Sequence, residues 1–176
     1  MKVLLVNGSP HKEGCTYTAL KEVEKELNAE GVETEIIWLG VKPISGCLGC
    51  AQCIKRGPNG EKPSLRCFMD DCVNEFLNKA EQAAGIVSAR RGGTTAAFDQ
   101  VNKYFTISSM PVVSSKYWNM VHGNTPEQVL QDEEGMQVMR ELGRNMAWLL
   151  KCIEAGRAAG IPDPVKEKPV MTNFIR

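Results

Sequence analysis

The chain has 176 residues, of which 43% are hydrophobic and 24% charged, and its 21 basic side chains balance its 21 acidic ones. This composition is typical of one globular domain, and zero net charge predicts no general attraction to nucleic acid or to an anionic membrane. No apolar run is long enough for a secretory leader or a membrane span, so we expect a cytoplasmic protein with a small-molecule ligand. Its seven cysteines are then expected to be thiols or metal ligands rather than disulfides.

The first strand and the first helix are predicted on either side of a loop of small polar residues. Residues 2–7 form a short apolar strand, and residues 16–30 carry apolar side chains at helical spacing. Such a loop directs backbone N–H groups and hydroxyls to one point, where the helix dipole favours a phosphate. The loop lacks the lysine of a nucleoside-triphosphate loop and the glycine pattern of a dinucleotide loop. It therefore predicts a phosphomonoester site, with an ordinary strand-to-helix turn as the alternative.

The next segments continue the alternation of strands and helices, with one long interruption. A strand is predicted from Glu33 to Leu39. Residues 40–68 contain four cysteines without helical or strand periodicity, which makes them an unusually long cysteine-rich loop. Acidic residues then open a predicted helix at 70–83, and a strand is predicted at 85–89.

The C-terminal half repeats the order of strand, loop and helix. The polar turn at 90–95 leads into a helical stretch, which predicts a second ligand contact. A further strand is predicted at 110–115. Residues 125–128 read as a capping box with proline at the first helical position, which opens a C-terminal helical extension over 125–160. The alternation predicts an α/β fold with a doubly wound parallel sheet, whose ligand lies at the carboxyl ends of the strands.

These motifs together resemble the flavodoxin-like NAD(P)H-dependent FMN reductases, a family that includes the iron–sulfur flavoproteins. The resemblance covers nearly the whole chain and is carried by segments at 7–16, 47–53, 67–71, 88–94 and 117–126. It implies a single three-layer flavodoxin-like domain over residues 1–176 and a homodimer or higher homo-oligomer. It also implies FMN as the cofactor, NAD(P)H as the co-substrate, and a quinone, flavin, metal or other small molecule as the electron acceptor. An iron–sulfur flavoprotein that carries electrons for a protein partner is the alternative function.

The resemblance assigns the cofactor to the two polar loops. The first loop would hold the FMN phosphate, and the second would line the ribityl chain and the ring. The candidate cofactor-binding residues are Ser9, His11, Gly14, Cys15, Thr16, Ala89, Arg90, Arg91, Gly92, Gly93 and Thr94. For the histidine and the two arginines, an exposed loop position is the alternative. No catalytic side chain is expected, because the cofactor itself carries the hydride.

The aromatic pair Tyr117 and Trp118 is a candidate for shaping the site where the nicotinamide stacks. Packing is the alternative for both rings. His122 follows them in the chain, and a structural hydrogen bond in a turn is favoured there over a role as proton donor.

Four cysteines, Cys47, Cys50, Cys53 and Cys67, are candidate metal ligands. The first three recur at every third residue, so their thiolates can converge on one point, and Cys67 would be the fourth ligand. A [4Fe–4S] cluster is the first candidate, while zinc, which is less favoured, and free or redox-active thiols are the alternatives. The thirteen residues between Cys53 and Cys67 exceed the spacing in the cluster-binding members of the family.

One strand–helix unit of the flavodoxin-like fold is missing near residues 83–87. In the family, a strand, a loop that touches the flavin ring and a helix stand between the segments that match 70–83 and 85–89. Here the predicted helix leads directly into the predicted strand. Either the unit is deleted or the sequence omits a segment, and the second is favoured because a strand–helix–strand crossover needs about a dozen residues or more.

Overall fold

The structure is a computed structural model that describes residues 2–42 and 84–165, together with positions 167, 170, 172 and 174. Nearly all of the predicted cysteine-rich loop lies outside the described residues. So do the helix predicted at 70–83 and the junction at residue 83 where the missing unit is expected. The element order below refers to the described ranges.

The first half of the fold is a parallel strand pair connected by a helix. Strand β1 spans Lys2–Asn7, helix α1 spans Cys15–Ala29 and strand β2 spans Glu33–Trp38. The two strands pair in parallel, with Asn7 opposite Trp38 at their carboxyl ends. All three predicted elements are confirmed to within about a residue.

The second half contains another parallel pair, formed by β3 (Val87–Ala89) and β4 (Met120–His122) on either side of α2 (Thr94–Ile107). The strand predicted at 110–115 is reduced to a single β-bridge residue, Val112. Pro111 has no N–H to donate to a sheet, and the Ser115 hydroxyl bonds to the carbonyl oxygen of Tyr117 at 2.7 Å, which forms a turn. The chain pairs with β3 only after this turn.

The predicted C-terminal helical extension consists of two helices, α3 (Pro126–Gln131) and α4 (Glu133–Ala158). Asp132 separates them, and its side chain accepts a hydrogen bond from the Gly135 N–H at 3.0 Å. This carboxylate caps α4, because N-terminal N–H groups have no partner within a helix.

The buried apolar core lies between the strands and the helices α1 and α4. Its largest fully buried hydrophobic side chains are Leu27, Met139, Leu142, Val23, Val32, Val121, Val129 and Val138. The two helices approach closely at Gly143, where a Cβ atom would lie 2.8 Å from the Cβ of Glu26. Ion pairs join the same helices, Arg140 to Glu22 at 3.0 Å and Arg144 to Glu26 at 2.8 Å.

The described strands form two separate two-stranded sheets, β1–β2 and β3–β4. Both pairs are parallel and alternate with helices, so the architecture is α/β and consistent with a flavodoxin-like fold. Val6 of β1 is 40% exposed, in contrast to its neighbours Leu5 and Asn7. Within the described ranges, no helix has the length and apolar character to cross a membrane.

Candidate cofactor site

The segments that follow β1 and β4 meet β3 at the carboxyl edge of the strands. At the start of α1, the Thr16 hydroxyl oxygen lies 3.0 Å from that of Ser88 in β3. The next residue towards the N-terminus, Cys15, places its Sγ 3.7 Å from the carbonyl oxygen of Gly123, which follows β4. The carbonyl of Ala89 accepts the Gly123 N–H at 3.2 Å. The structure therefore brings the first predicted loop to the strand from which the second one begins.

The first loop is held by hydrogen bonds to two side chains at the ends of β1 and β2. The fully buried Asn7 donates through Nδ2 to the Lys12 carbonyl at 2.9 Å and accepts the Ser9 N–H at 3.0 Å. From the neighbouring strand, Trp38 donates its Nε1–H to the Ser9 carbonyl at 2.8 Å. The His11 N–H donates to the Ser9 hydroxyl oxygen at 3.2 Å. The loop therefore has a defined conformation that the protein supplies by itself.

Gly14 completes this loop immediately before α1. A Cβ atom at Gly14 would lie 2.9 Å from the Cβ of His11, so a larger residue would displace the loop. The glycine is the N-cap of α1 in an extended conformation, and no side chain caps the helix. The N–H groups of the first turn have no partner within the helix and stand at the positive end of its dipole.

The second loop also ends in a glycine that precedes an uncapped helix. Gly93 precedes α2 with φ of 88°, a left-handed conformation that favours glycine, and no side chain caps this helix. A Cβ at Gly92 or Gly93 would meet only open space. Arg90 and Arg91 are exposed, whereas Thr94 at the helix start is buried. The loop is thus an open surface beside a helix N-terminus, with two guanidinium groups next to it.

The other two described helices, α3 and α4, have side-chain caps at their N-termini. Thr125 caps α3 by accepting the Gln128 N–H at 3.4 Å, and Asp132 caps α4. The uncapped helix N-termini are thus the two that follow the predicted cofactor loops. An uncapped N-terminus keeps its N–H groups and its positive dipole end available for an anion.

Asp132 also fixes the start of the loop after β4. The backbone N–H of His122 donates to Asp132 Oδ2 at 2.6 Å, and the imidazole Nδ1 lies 3.9 Å from the same oxygen. His122 is therefore fixed through its backbone, and it is the last residue of β4 rather than part of a turn. Tyr117 and Trp118 precede β4 and lie at its amino end, with ring centroids 4.8 Å apart. They are consequently at the opposite end of β4 from the predicted cofactor loops.

Asn7 and Trp38 are the site residues that sequence reasoning missed. Asn7 offered a signal, because it is a polar residue at the end of an apolar strand and becomes fully buried. Trp38 offered only its position at the carboxyl end of the next strand. Which carbonyl its indole N–H reaches depends on the pairing of β1 with β2.

The four candidate metal ligands, Cys47, Cys50, Cys53 and Cys67, lie outside the described residues. Of the cysteines within the described ranges, Cys15 is half-buried and Cys152 exposed, and both are free thiols. The part of the chain that the structure describes contains no group of three or more potential metal-ligating side chains of His, Cys, Asp or Glu.

The family model for NADPH-dependent FMN reductase matches residues 1–90, which include β1, α1, β2 and β3. The match spans half of the chain, and the chain belongs to this family. It is therefore a flavin-dependent oxidoreductase of flavodoxin-like type, and the family membership supports FMN as its cofactor.

Several curated proteins are similar to the chain. Iron-sulfur flavoprotein MJ1083 of Methanocaldococcus jannaschii is 26% identical over 200 residues, which cover 88% of this chain and 100% of that protein. An iron-sulfur flavoprotein of Archaeoglobus fulgidus is 36% identical over 87 residues, which cover 49% of this chain and 38% of that protein. No solved structure matches the chain significantly.

Proposed function

We propose that the chain is an NAD(P)H-dependent FMN oxidoreductase that reduces a quinone, a free flavin, a metal or another small acceptor. The observation that carries this proposal is the pair of uncapped helix N-termini beside the two predicted loops. A phosphomonoester fits the first of them, because the residues around it present N–H groups and hydroxyls, and Gly14 is not followed by the lysine of a nucleoside-triphosphate loop. When bound, FMN supplies the redox chemistry, by accepting a hydride from NAD(P)H and passing the electrons on.

The residues of the chain have the tasks of binding and orienting. In this proposal the phosphate lies against the first loop, and the second loop lines the ribityl chain and the ring. N–H groups of the second loop near the ring would stabilise the negative charge that reduction places there. The residues proposed to hold FMN are Ser9, His11, Gly14, Cys15, Thr16, Ala89, Arg90, Arg91, Gly92, Gly93 and Thr94.

We further propose that the two strand pairs are the outer parts of one doubly wound sheet. A five-stranded sheet of flavodoxin-like order 2-1-3-4-5 has one parallel pair on each side of its central strand, and the described strands form two such pairs.

Binding of FMN and of riboflavin to the full chain, freed of cofactor, tests the proposal. The two ligands differ only in the phosphate, and each hydrogen bond to a charged group is worth about 1.5–3 kcal/mol. We expect FMN to bind at least about tenfold more tightly than riboflavin in calorimetric titrations. The FMN-loaded protein should then lose its visible flavin absorbance on anaerobic mixing with NADPH or NADH. Absence of FMN binding to the folded protein would refute the proposal.

The alternative function is an electron carrier in which FMN and an iron–sulfur cluster serve a protein partner. The relatives from Methanocaldococcus jannaschii and Archaeoglobus fulgidus are named iron–sulfur flavoproteins, which supports this alternative. The same mixing experiment separates the two functions, because a carrier binds FMN but is not reduced by nicotinamide. Iron and sulfide analysis of anaerobically purified protein would show whether the cysteine-rich loop holds a cluster. Sedimentation of the same material tests the proposed homodimer or higher oligomer.

A further inference from the structure

A loop that binds a phosphate through its backbone must turn its N–H groups towards the anion and its carbonyl oxygens away from it. A carbonyl oxygen carries a partial negative charge and repels the ligand. Protein donors that bond to these carbonyls therefore determine whether the loop attracts or repels an anion.

In this chain, two side chains make such bonds at two carbonyls of the first loop. The indole Nε1–H of Trp38 bonds to the Ser9 carbonyl at 2.8 Å, and the amide Nδ2–H of Asn7 bonds to the Lys12 carbonyl at 2.9 Å. A third carbonyl, that of Gly14, accepts the Thr18 hydroxyl at 3.3 Å and the Thr18 N–H at 3.0 Å. The loop carbonyls at both ends and in the middle thus have protein donors.

The same bonds leave a specific donor on Ser9. Its N–H donates to Asn7 Oδ1, and its hydroxyl oxygen accepts the His11 N–H. The hydroxyl hydrogen is then the one polar hydrogen of Ser9 that these bonds do not use. It can donate to a phosphate oxygen while the His11 bond is kept, because a hydroxyl both donates and accepts.

We propose that Asn7 and Trp38 are positioning residues that hold the first loop in its anion-binding conformation before any ligand arrives. The inference rests on the proposed function and assigns to β1 and β2 a role beyond forming the sheet. Trp38 is the more informative of the two, because it reaches the loop from the neighbouring strand. Trp38 stabilises the loop conformation at the carboxyl end of the β1–β2 pair, where Asn7 is its partner in the strand register. Preorganisation of this kind raises affinity by reducing the ordering cost of binding.

Trp38→Phe tests the proposal, because phenylalanine keeps an aromatic ring but removes the Nε1–H donor. Trp148→Phe is the matched control, since Trp148 is 66% exposed on α4, away from the loop. We expect Trp38→Phe to raise the Kd for FMN about tenfold and to leave the Kd for riboflavin within about twofold. We expect the control variant to change neither. A role in general packing would weaken both ligands to the same degree.

Amide hydrogen exchange of the cofactor-free protein supplies a second readout that needs no ligand. Trp38→Phe should accelerate exchange in residues 8–14 and leave the exchange of α4 unchanged. If wild-type protein binds no FMN, the proposed function fails, and the exchange measurement still decides whether Trp38 orders the loop. Equal loss of FMN and riboflavin affinity, or unchanged exchange in residues 8–14, would overturn the inference.

Discussion

The contact between Thr16 and Ser88 gives the sharpest test of where the cofactor phosphate lies. The two hydroxyl oxygens are 3.0 Å apart and either can be the donor. If Ser88 donates, Thr16 keeps its own hydrogen for a phosphate oxygen. Thr16→Val removes this hydroxyl with almost no change in shape, whereas Ser88→Ala removes its partner and leaves the Thr16 hydroxyl in place.

The two substitutions should affect stability alike and cofactor binding differently. Each removes one neutral, partly buried hydrogen bond, so each should lower the free energy of unfolding by about 0.5–1.5 kcal/mol. A hydrogen bond to a charged phosphate is worth about 1.5–3 kcal/mol. Since about 1.4 kcal/mol corresponds to a factor of ten, Thr16→Val should raise the Kd for FMN about 10- to 100-fold. For Ser88→Ala we expect a change below about threefold.

Fluorescence titration with FMN and riboflavin measures both effects, and urea unfolding of the cofactor-free proteins measures stability. Riboflavin binding should be the same in both variants and in the wild type, because riboflavin has no phosphate. The reasoning would be refuted if the two variants weakened FMN binding equally. It would also be refuted if Thr16→Val left the preference for FMN over riboflavin unchanged.

Three further substitutions test the fold around the site. Gly143→Ala brings a Cβ to 2.8 Å from that of Glu26. Overpacking costs about 1–3 kcal/mol, whereas the higher helix propensity of alanine contributes about 1 kcal/mol. Urea unfolding should therefore show a net decrease in the free energy of unfolding. Asp132→Ala removes the cap of α4 and should cost about 1–2 kcal/mol without altering the ratio of FMN to riboflavin affinity. The Lys151 ammonium lowers the pKa of Glu30 by its hydrogen bond and its charge. Because the folded pKa lies below the unfolded one, this stabilisation is present above about pH 4.5 and is lost as the pH falls through the folded value. Lys151→Met should therefore lose less stability on acidification than the wild type, and parallel pH curves would contradict this.

The elements that the sequence predicts correctly are those with strong local patterns. The apolar face of α1 and the cap at Thr125 are local signals, and both are found in the structure. The strand at β4 is different, because Met120–His122 has only three residues and is defined by its pairing with β3. A short apolar run such as Val112–Val113 gives an equally strong local signal, yet only Val112 forms a β-bridge there.

The candidate site was predictable to the level of loops but not of contacts. A polar loop after a strand and before a helix is a local pattern, and the resemblance to a known family supplied the candidate residues in it. The bonds that orient the loop come from Trp38, which lies 29 positions from Ser9 in the sequence. Likewise, the contact of Cys15 with Gly123 spans 108 positions. Such contacts follow from sheet topology, which local sequence patterns do not specify in detail.

The distribution of helix caps connects the stability of the fold with its function. A capping side chain stabilises a helix by about 0.5–2 kcal/mol, and α3 and α4 have such caps, whereas α1 and α2 do not. The two uncapped helices follow β1 and β3, and the Thr16–Ser88 contact joins the start of the first helix to β3. The cofactor-free protein thus lacks the stabilisation by side-chain caps at the N-termini of α1 and α2, and a bound anion would supply an equivalent interaction. At a ligand concentration of about 100 times the Kd, binding adds about 2.7 kcal/mol to the free energy of unfolding. FMN should consequently raise the unfolding temperature much more than riboflavin does, and the difference should shrink in Thr16→Val.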